Sequence, residues 1–201
     1  MLSSGLSGTA NSVRLLAQSI DDLTVEILDS KSGSIGYGSI AIVLAQYRDQ
    51  GYSFQELIEK AHSLIQNTHI FFSIDSLEYL QKGGRIGKAT AFVGGVMKIK
   101  PILSVNREDG EINVAAKVRG SKKVPAKLID LVTQLYEQNP QRPFNLLVAD
   151  GAMREQRDLL EQELKSHFPQ FNQCIAAQIG STLSAYLGPG LLGAAIQFLD
   201  D

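Results

Sequence analysis

Between Ser53 and Ile74 the chain spells a helix followed directly by a strand. Ser53 and Glu56 have the spacing of a capping box, in which each side chain satisfies the other's free backbone N–H. Behind that box Phe54, Leu57, Ile58, Ala61, Leu64 and Ile65 recur on one helical face. Ile70–Ile74 is then a continuous apolar run of strand length. Ahead of this unit Ile40, Val43, Leu44 and Tyr47 keep helical spacing, Thr24–Leu28 reads as a short buried strand, and Thr9 to about Asp21 reads as a helix. Strands separated by helices of this length predict an α/β chain with a largely parallel, helix-covered sheet.

Beyond Ser76 the pattern changes. Ser76 can cap a short helix that stops at Gly83, and Lys88–Val96 reads as a second helix. Pro101–Val105 and Glu111–Val118 predict a hairpin around Asn106–Gly110. A long helix marked by Val124, Leu128, Leu131, Val132, Leu135 and Tyr136 follows, then a strand at Asn145–Ala149. A helix at Met153–Phe168 and a strand at Cys174–Ile179 complete the series. The expected division is residues 1–75, part of an N-terminal α/β lobe, and 76–201, a C-terminal α/β lobe. No flexible linker separates them, so the two are expected to pack closely.

Composition excludes several classes. A net charge of −2 offers no global field for nucleic acid or an anionic membrane. One cysteine, Cys174, precludes an internal disulfide framework and suits a reducing, cytoplasmic compartment. No apolar run is long enough for a membrane-spanning helix, so no stable membrane insertion is expected. No Cys, His, Asp and Glu spacing suggests a metal, and no cofactor is expected.

Three motifs invite chemistry. Ser3-Ser4-Gly5-Leu6-Ser7-Gly8-Thr9 places four hydroxyls and two glycines at a helix mouth. Free N–H groups and the helix dipole there suit a carboxylate or phosphate. The plainer reading is turn chemistry, with Ser7 or Thr9 capping the helix. Lys82-Gly83-Gly84-Arg85-Ile86-Gly87-Lys88 could grip a phosphate, or be a helix end with solvated cations. It is not a P-loop, since no Gly-Lys-Ser/Thr closes it. Gly188-Pro189-Gly190-Leu191-Leu192-Gly193 matches a dinucleotide fingerprint literally, but no acidic residue about 20 positions on completes it. The serines have no Gly-x-Ser-x-Gly elbow, and His62, His69 and His167 read as surface residues rather than bases.

Taken in order, Ser3–Thr9, Leu77–Lys88, Ile99-Lys100-Pro101-Ile102-Leu103, Asp109-Gly110-Glu111-Ile112, Lys117-Val118-Arg119-Gly120 and Gly188-Pro189-Gly190 resemble the DegV family of bacterial fatty-acid-binding proteins. The resemblance implies a long-chain fatty acid held between two lobes, its carboxylate hydrogen-bonded by serine hydroxyls. Ser4 is the first choice and Ser3 the second, with Gly5, Arg85 and Tyr186 beside the ligand. Tyr186 stands where the family carries a histidine, and a phenol holds a carboxylate less strongly. The family also implies a separate fatty acid kinase as partner, docking near Arg85 and Arg119. It normally carries a further segment ahead of this start, with a threonine-serine motif that completes the carboxylate site. That site is therefore expected to be incomplete here, and a poorly folding relic that binds nothing is a further reading. The expectation is a binding module rather than an enzyme. The alternative is an enzyme or binding protein for a phosphorylated small molecule, acting through Arg85, Lys88 and Arg119.

Overall fold

The computed structural model describes residues 1–92 and 99–200. Its elements are α1 (Thr9–Ala17), α2 (Ile35–Asp49), α3 (Phe54–Asn67), β1 (Thr68–Ser73), α4 (Glu78–Lys82), β2 (Ile99–Val105), β3 (Ile112–Arg119), α5 (Val124–Gln138), β4 (Phe144–Gly151), α6 (Arg154–His167), β5 (Cys174–Gln178), α7 (Ser181–Leu187) and β6 (Leu191–Phe198). The capping box forms as read: Ser53 Oγ accepts from the Glu56 N–H, and Glu56 accepts from the Ser53 N–H at 2.8 Å. The expected helix from Lys88 is a 3₁₀ helix, Gly87–Phe92, and its remainder, 93–96, lies outside the described residues.

The strands form one six-stranded sheet in the order β3-β2-β1-β6-β4-β5. The α/β class holds, but the sheet is not largely parallel. Among the described residues only β4 and β5 pair in parallel, across the α6 crossover, and the other four pairings are antiparallel. Residues 1–75 contribute one strand, β1, which lies between β2 and β6, so the segments on either side of Ser76 share this sheet. The strand expected at Thr24–Leu28 does not form. Among the described residues its end has backbone ties only to the chain start: the Met1 ammonium donates to Leu28 O at 2.9 Å and the Ser30 N–H to Met1 O at 3.2 Å. A strand needs a neighbour for its N–H and C=O groups, and Leu23 and Val25 are exposed rather than buried.

Helices cover both faces. On one, Leu128 and Val132 of α5 and Leu160 and Leu164 of α6 pack on Leu146, Val148, Ile196 and Phe198. Every residue of β4 and β6 is buried, as central strands covered on both sides require. On the other face α2 and α3 close over Leu199 through Ile40, Val43 and Leu64. Here the core contains polar groups that satisfy one another. Gln197 donates to Ser39 Oγ at 3.1 Å and Thr68 Oγ1 at 3.0 Å, and accepts from Asn145 at 3.0 Å. Asn145 in turn accepts from Asn172 at 3.0 Å. The rest of this face, around Phe72, Leu103, Ala149 and Leu191, is covered by short elements and loops, and there the packing is incomplete.

Candidate functional site

An apolar cavity of about 190 Å³ lies between the sheet and those loops. A single water needs roughly 10–15 Å³ of comparable space, so there is room for a chain of atoms. Its floor is Ile70, Phe72, Ala149, Gly193 and Ala195, and its walls include Leu6, Ile35, Leu80, Ile112, Leu183 and Leu187. Small residues on β6 create the depth: Gly193 and Ala195 sit where larger side chains would fill the space. At Gly193 an added Cβ would press on Phe71 O and Phe72 Cβ, each 3.1 Å away.

Few polar groups reach this space. They are Ser7, Ser34, Arg85, Thr182 and Tyr186. Arg85 is fixed by its turn: Nε donates to Leu6 O at 3.1 Å and Nη1 to Gly83 O at 2.7 Å. Nη2 has no acceptor among the described residues. The guanidinium lies over the Tyr186 ring, 5.0 Å from its centre, an arrangement favoured by the ring's negative face. Both glycines of the turn serve this geometry. A Cβ on Gly83 would sit 2.5 Å from Tyr186 Cδ1, and Gly84 has φ +68°. The left-handed residue is thus Gly84, one place beyond the expected helix stop.

Ser34 has φ +50° and ψ −129°, unusual for a residue with a side chain. It is the N-cap of α2, and its hydroxyl caps nothing. Gly33, Ser34 and Ile35 bring that helix N-terminus, with its partial positive charge, to the cavity wall.

The expected site residues divide. Arg85 and Tyr186 line the cavity together, whereas Ser3, Ser4 and Gly5 do not line it. Ser3 is fully buried and donates to Gly110 O at 2.7 Å. Ser4 donates to Asp29 at 2.5 Å, and hydrogen bonds from Ser4 and Lys31 hold that carboxyl below its usual range despite partial burial. Gly5 allows this loop to touch the hairpin turn, since a Cβ there would fall 2.5 Å from Asp109 O. The motif's first serines therefore fasten the loop, and Ser7 is its hydroxyl at the cavity.

The three cations of the phosphate alternative do not converge. Lys88 is paired with Asp109 at 2.5 Å, beside the start of β3. Arg119 ends that strand, about 23 Å further on at 3.3 Å per residue. The histidines are equally dispersed. His69 faces Arg107, and His167 lies against Thr133 and Phe168. Sequence reading missed Thr182, Leu183, Ile179 and Gly193, since nothing local marks a wall assembled from distant segments.

Such a site is a partly open, almost wholly apolar space on an α/β scaffold, with one guanidinium of fixed direction in its lining. The chain belongs to the DegV family: residues 1–199 match the model described as "Uncharacterised protein, DegV family". A DegV domain-containing protein of Clostridium perfringens is 33% identical over 196 residues, 98% of this chain and 68% of the relative. A fatty-acid-binding DegV family protein of Thermus thermophilus superposes with a TM-score of 0.90 at 26% identity, over 98% of this chain and 69% of that one. DegV of Bacillus subtilis, a fatty acid binding protein, does so with a TM-score of 0.85 at 27% identity, over 98% and 68%.

Proposed function

We propose that this protein binds a long-chain fatty acid in the cavity between β6 and α7. The observation that carries the reading is the pairing of an almost wholly apolar space with one fixed guanidinium, Arg85, whose Nη2 is free among the described residues. Burial of each methylene contributes about 0.8 kcal/mol, so the chain supplies affinity and the polar end supplies direction. Arg85 Nη2, the Ser7 and Tyr186 hydroxyls and the N-terminus of α2 hold the carboxylate in this reading. Ser3 and Ser4 act through the loop they fasten. Ser7 Oγ accepts from the Thr9 N–H at 3.3 Å and shares a 2.8 Å hydrogen bond with Thr9 Oγ1, in which either hydroxyl can donate; with Thr9 as donor, the Ser7 proton is left for the ligand.

The protein works here as a binding module that presents its acid to a separate kinase in the cytoplasm. Arg119, with Lys122 and Lys123, forms an exposed basic patch apart from the cavity, and we assign it to docking that partner. No described helix is long and apolar enough to cross a membrane. Native mass spectrometry of the purified protein, followed by denaturing extraction, tests the core of the reading. A bound fatty acid, or saturable uptake in a titration, supports it. An empty protein that takes up no fatty acid would sink it.

A further inference from the structure

The sheet is split beside the cavity. β1 and β2 share a single registered pair, Phe72↔Leu103, whereas β1 and β6 share six and β2 and β3 seven. Continuing the antiparallel register would set Ile70 opposite Val105 and Thr68 opposite Arg107, but those pairs do not form. The β2–β3 register shifts between Ile102 and Leu103, where Ala115 is the extra residue on β3, and a bulge of this kind bends its own strand and increases the local twist of the pair. Past Leu103, β2 stays with β3 and forms no registered pair with β1. On the other flank Pro101 turns its carbonyl to β1, where it accepts from Ser73 Oγ at 3.3 Å. It has no N–H to extend the ladder.

A second, polar cavity of about 360 Å³ occupies the resulting slot. It shares Ile70, Phe71 and Val105 with the apolar cavity, so these side chains form a common wall. Its polar lining includes Lys31, Ser32, His69, Arg107 and Glu108. Lys31 is matched by Asp29 at 3.1 Å. Arg107 has no carboxylate partner among the described residues. It spans the slot instead, with Nη2 2.8 Å from His69 Nε2 and 3.5 Å from Thr68 O. Ser32 is buried, and its hydroxyl has no partner.

We propose that the slot between β1 and β2 is a polar-rimmed mouth of the acyl cavity, through which a fatty acid enters under the attraction of Arg107 for its carboxylate. This rests on reading the apolar cavity as an acyl site. An ionised acid approaching the rim meets Arg107, which forms no ion pair with a carboxylate among the described residues, although Glu108 shares the lining, while its chain meets Ile70, Phe71 and Val105. Charges at a cleft mouth act chiefly on association rate.

Stopped-flow binding of a fluorescent long-chain polyene acid and of the matching alcohol tests this. Arg107→Glu is expected to slow association of the acid by about threefold or more at low salt, with the alcohol unaffected. Arg107→Gln, which retains a donor for Thr68 and His69, guards against misfolding and should fall between. Val105→Trp, which narrows the shared wall, should slow both ligands. Arg48→Glu, on the exposed surface of α2, is the charge control. If both Arg107 variants take up the acid as fast as Arg48→Glu does, the mouth lies elsewhere and the acyl site stands. If the wild-type protein binds neither ligand, the acyl reading fails and this one with it.

Discussion

Arg85 and Tyr186, 101 positions apart in the chain, meet in the lining of the apolar cavity, with the guanidinium carbon over the ring and 5.0 Å from its centre. The contact is set from both sides. Gly83 leaves room for the ring, and Leu6 O and Gly83 O hold the guanidinium plane. An ionic hydrogen bond to a carboxylate contributes roughly 1.5–3 kcal/mol. Arg85→Gln should therefore weaken fatty-acid binding by roughly 10- to 100-fold while leaving a fatty alcohol of the same length nearly unaffected. Calorimetric titration of both ligands checks this, and equal losses for acid and alcohol would show that Arg85 acts only on packing.

Ser7 and Ser4 separate in the same assay. Ser7→Ala removes a hydroxyl at the cavity, so it should weaken acid binding several-fold with little change in stability. Ser4→Ala removes the hydrogen bond to Asp29, which is held as a carboxylate by Ser4 and Lys31. Its effect should fall on stability, about 1 kcal/mol, as read by urea unfolding. Reversal of the two effects would return the carboxylate to the first serines of the motif.

The depth of the cavity rests on small residues. Ala195, 1% exposed, lines it from the centre of the sheet. Ala195→Phe should abolish uptake of long chains, at a stability cost of about 1–3 kcal/mol from overpacking. Competition among acids of increasing length reads this directly. Unchanged length preference would place the chain outside this cavity.

Much of this was legible in the residues, and the limits have physical causes. The capping box at Ser53 and Glu56 and the β2–β3 hairpin are local, so spacing alone fixes them. Strand direction is not local. β1 and β6 are more than a hundred positions apart, and antiparallel pairing between them depends on how the chain returns. Thr24–Leu28 has a strand's composition, but pairing is what makes a strand, and beyond Met1 no backbone partner meets it among the described residues. Within the Ser3–Thr9 motif the residue types announced a polar loop. Which hydroxyl faces the ligand depends on Asp29 and Gly110, which claim Ser4 and Ser3. The slot at Arg107 had no signal in sequence, since it lies where β1 and β2 cease to pair, which depends on strands distant in the chain.

His69 links the slot to stability. Desolvation, reinforced by the neighbouring Arg107 charge, lowers its pKa from 6.5 to about 4. The imidazole is therefore neutral in the folded protein near pH 7, and Nε2 can accept from Arg107. Between those two values the unfolded chain carries the proton that the folded chain refuses, so stability falls as pH drops from about 6.5 towards 4 and levels below that. One pKa unit corresponds to about 1.4 kcal/mol. Allowing for the ring's partial exposure, the loss is on the order of 1–3 kcal/mol. Other groups titrate in the same acid range, with Asp29 and Asp109 both lowered, so the difference between wild type and His69→Gln isolates this one. Denaturant unfolding at pH 7 and pH 4.5 should show a shallower acid decline for His69→Gln. Parallel declines would mean that His69 protonates as readily in the folded chain as in the unfolded one, and that Arg107 crosses the slot without its help.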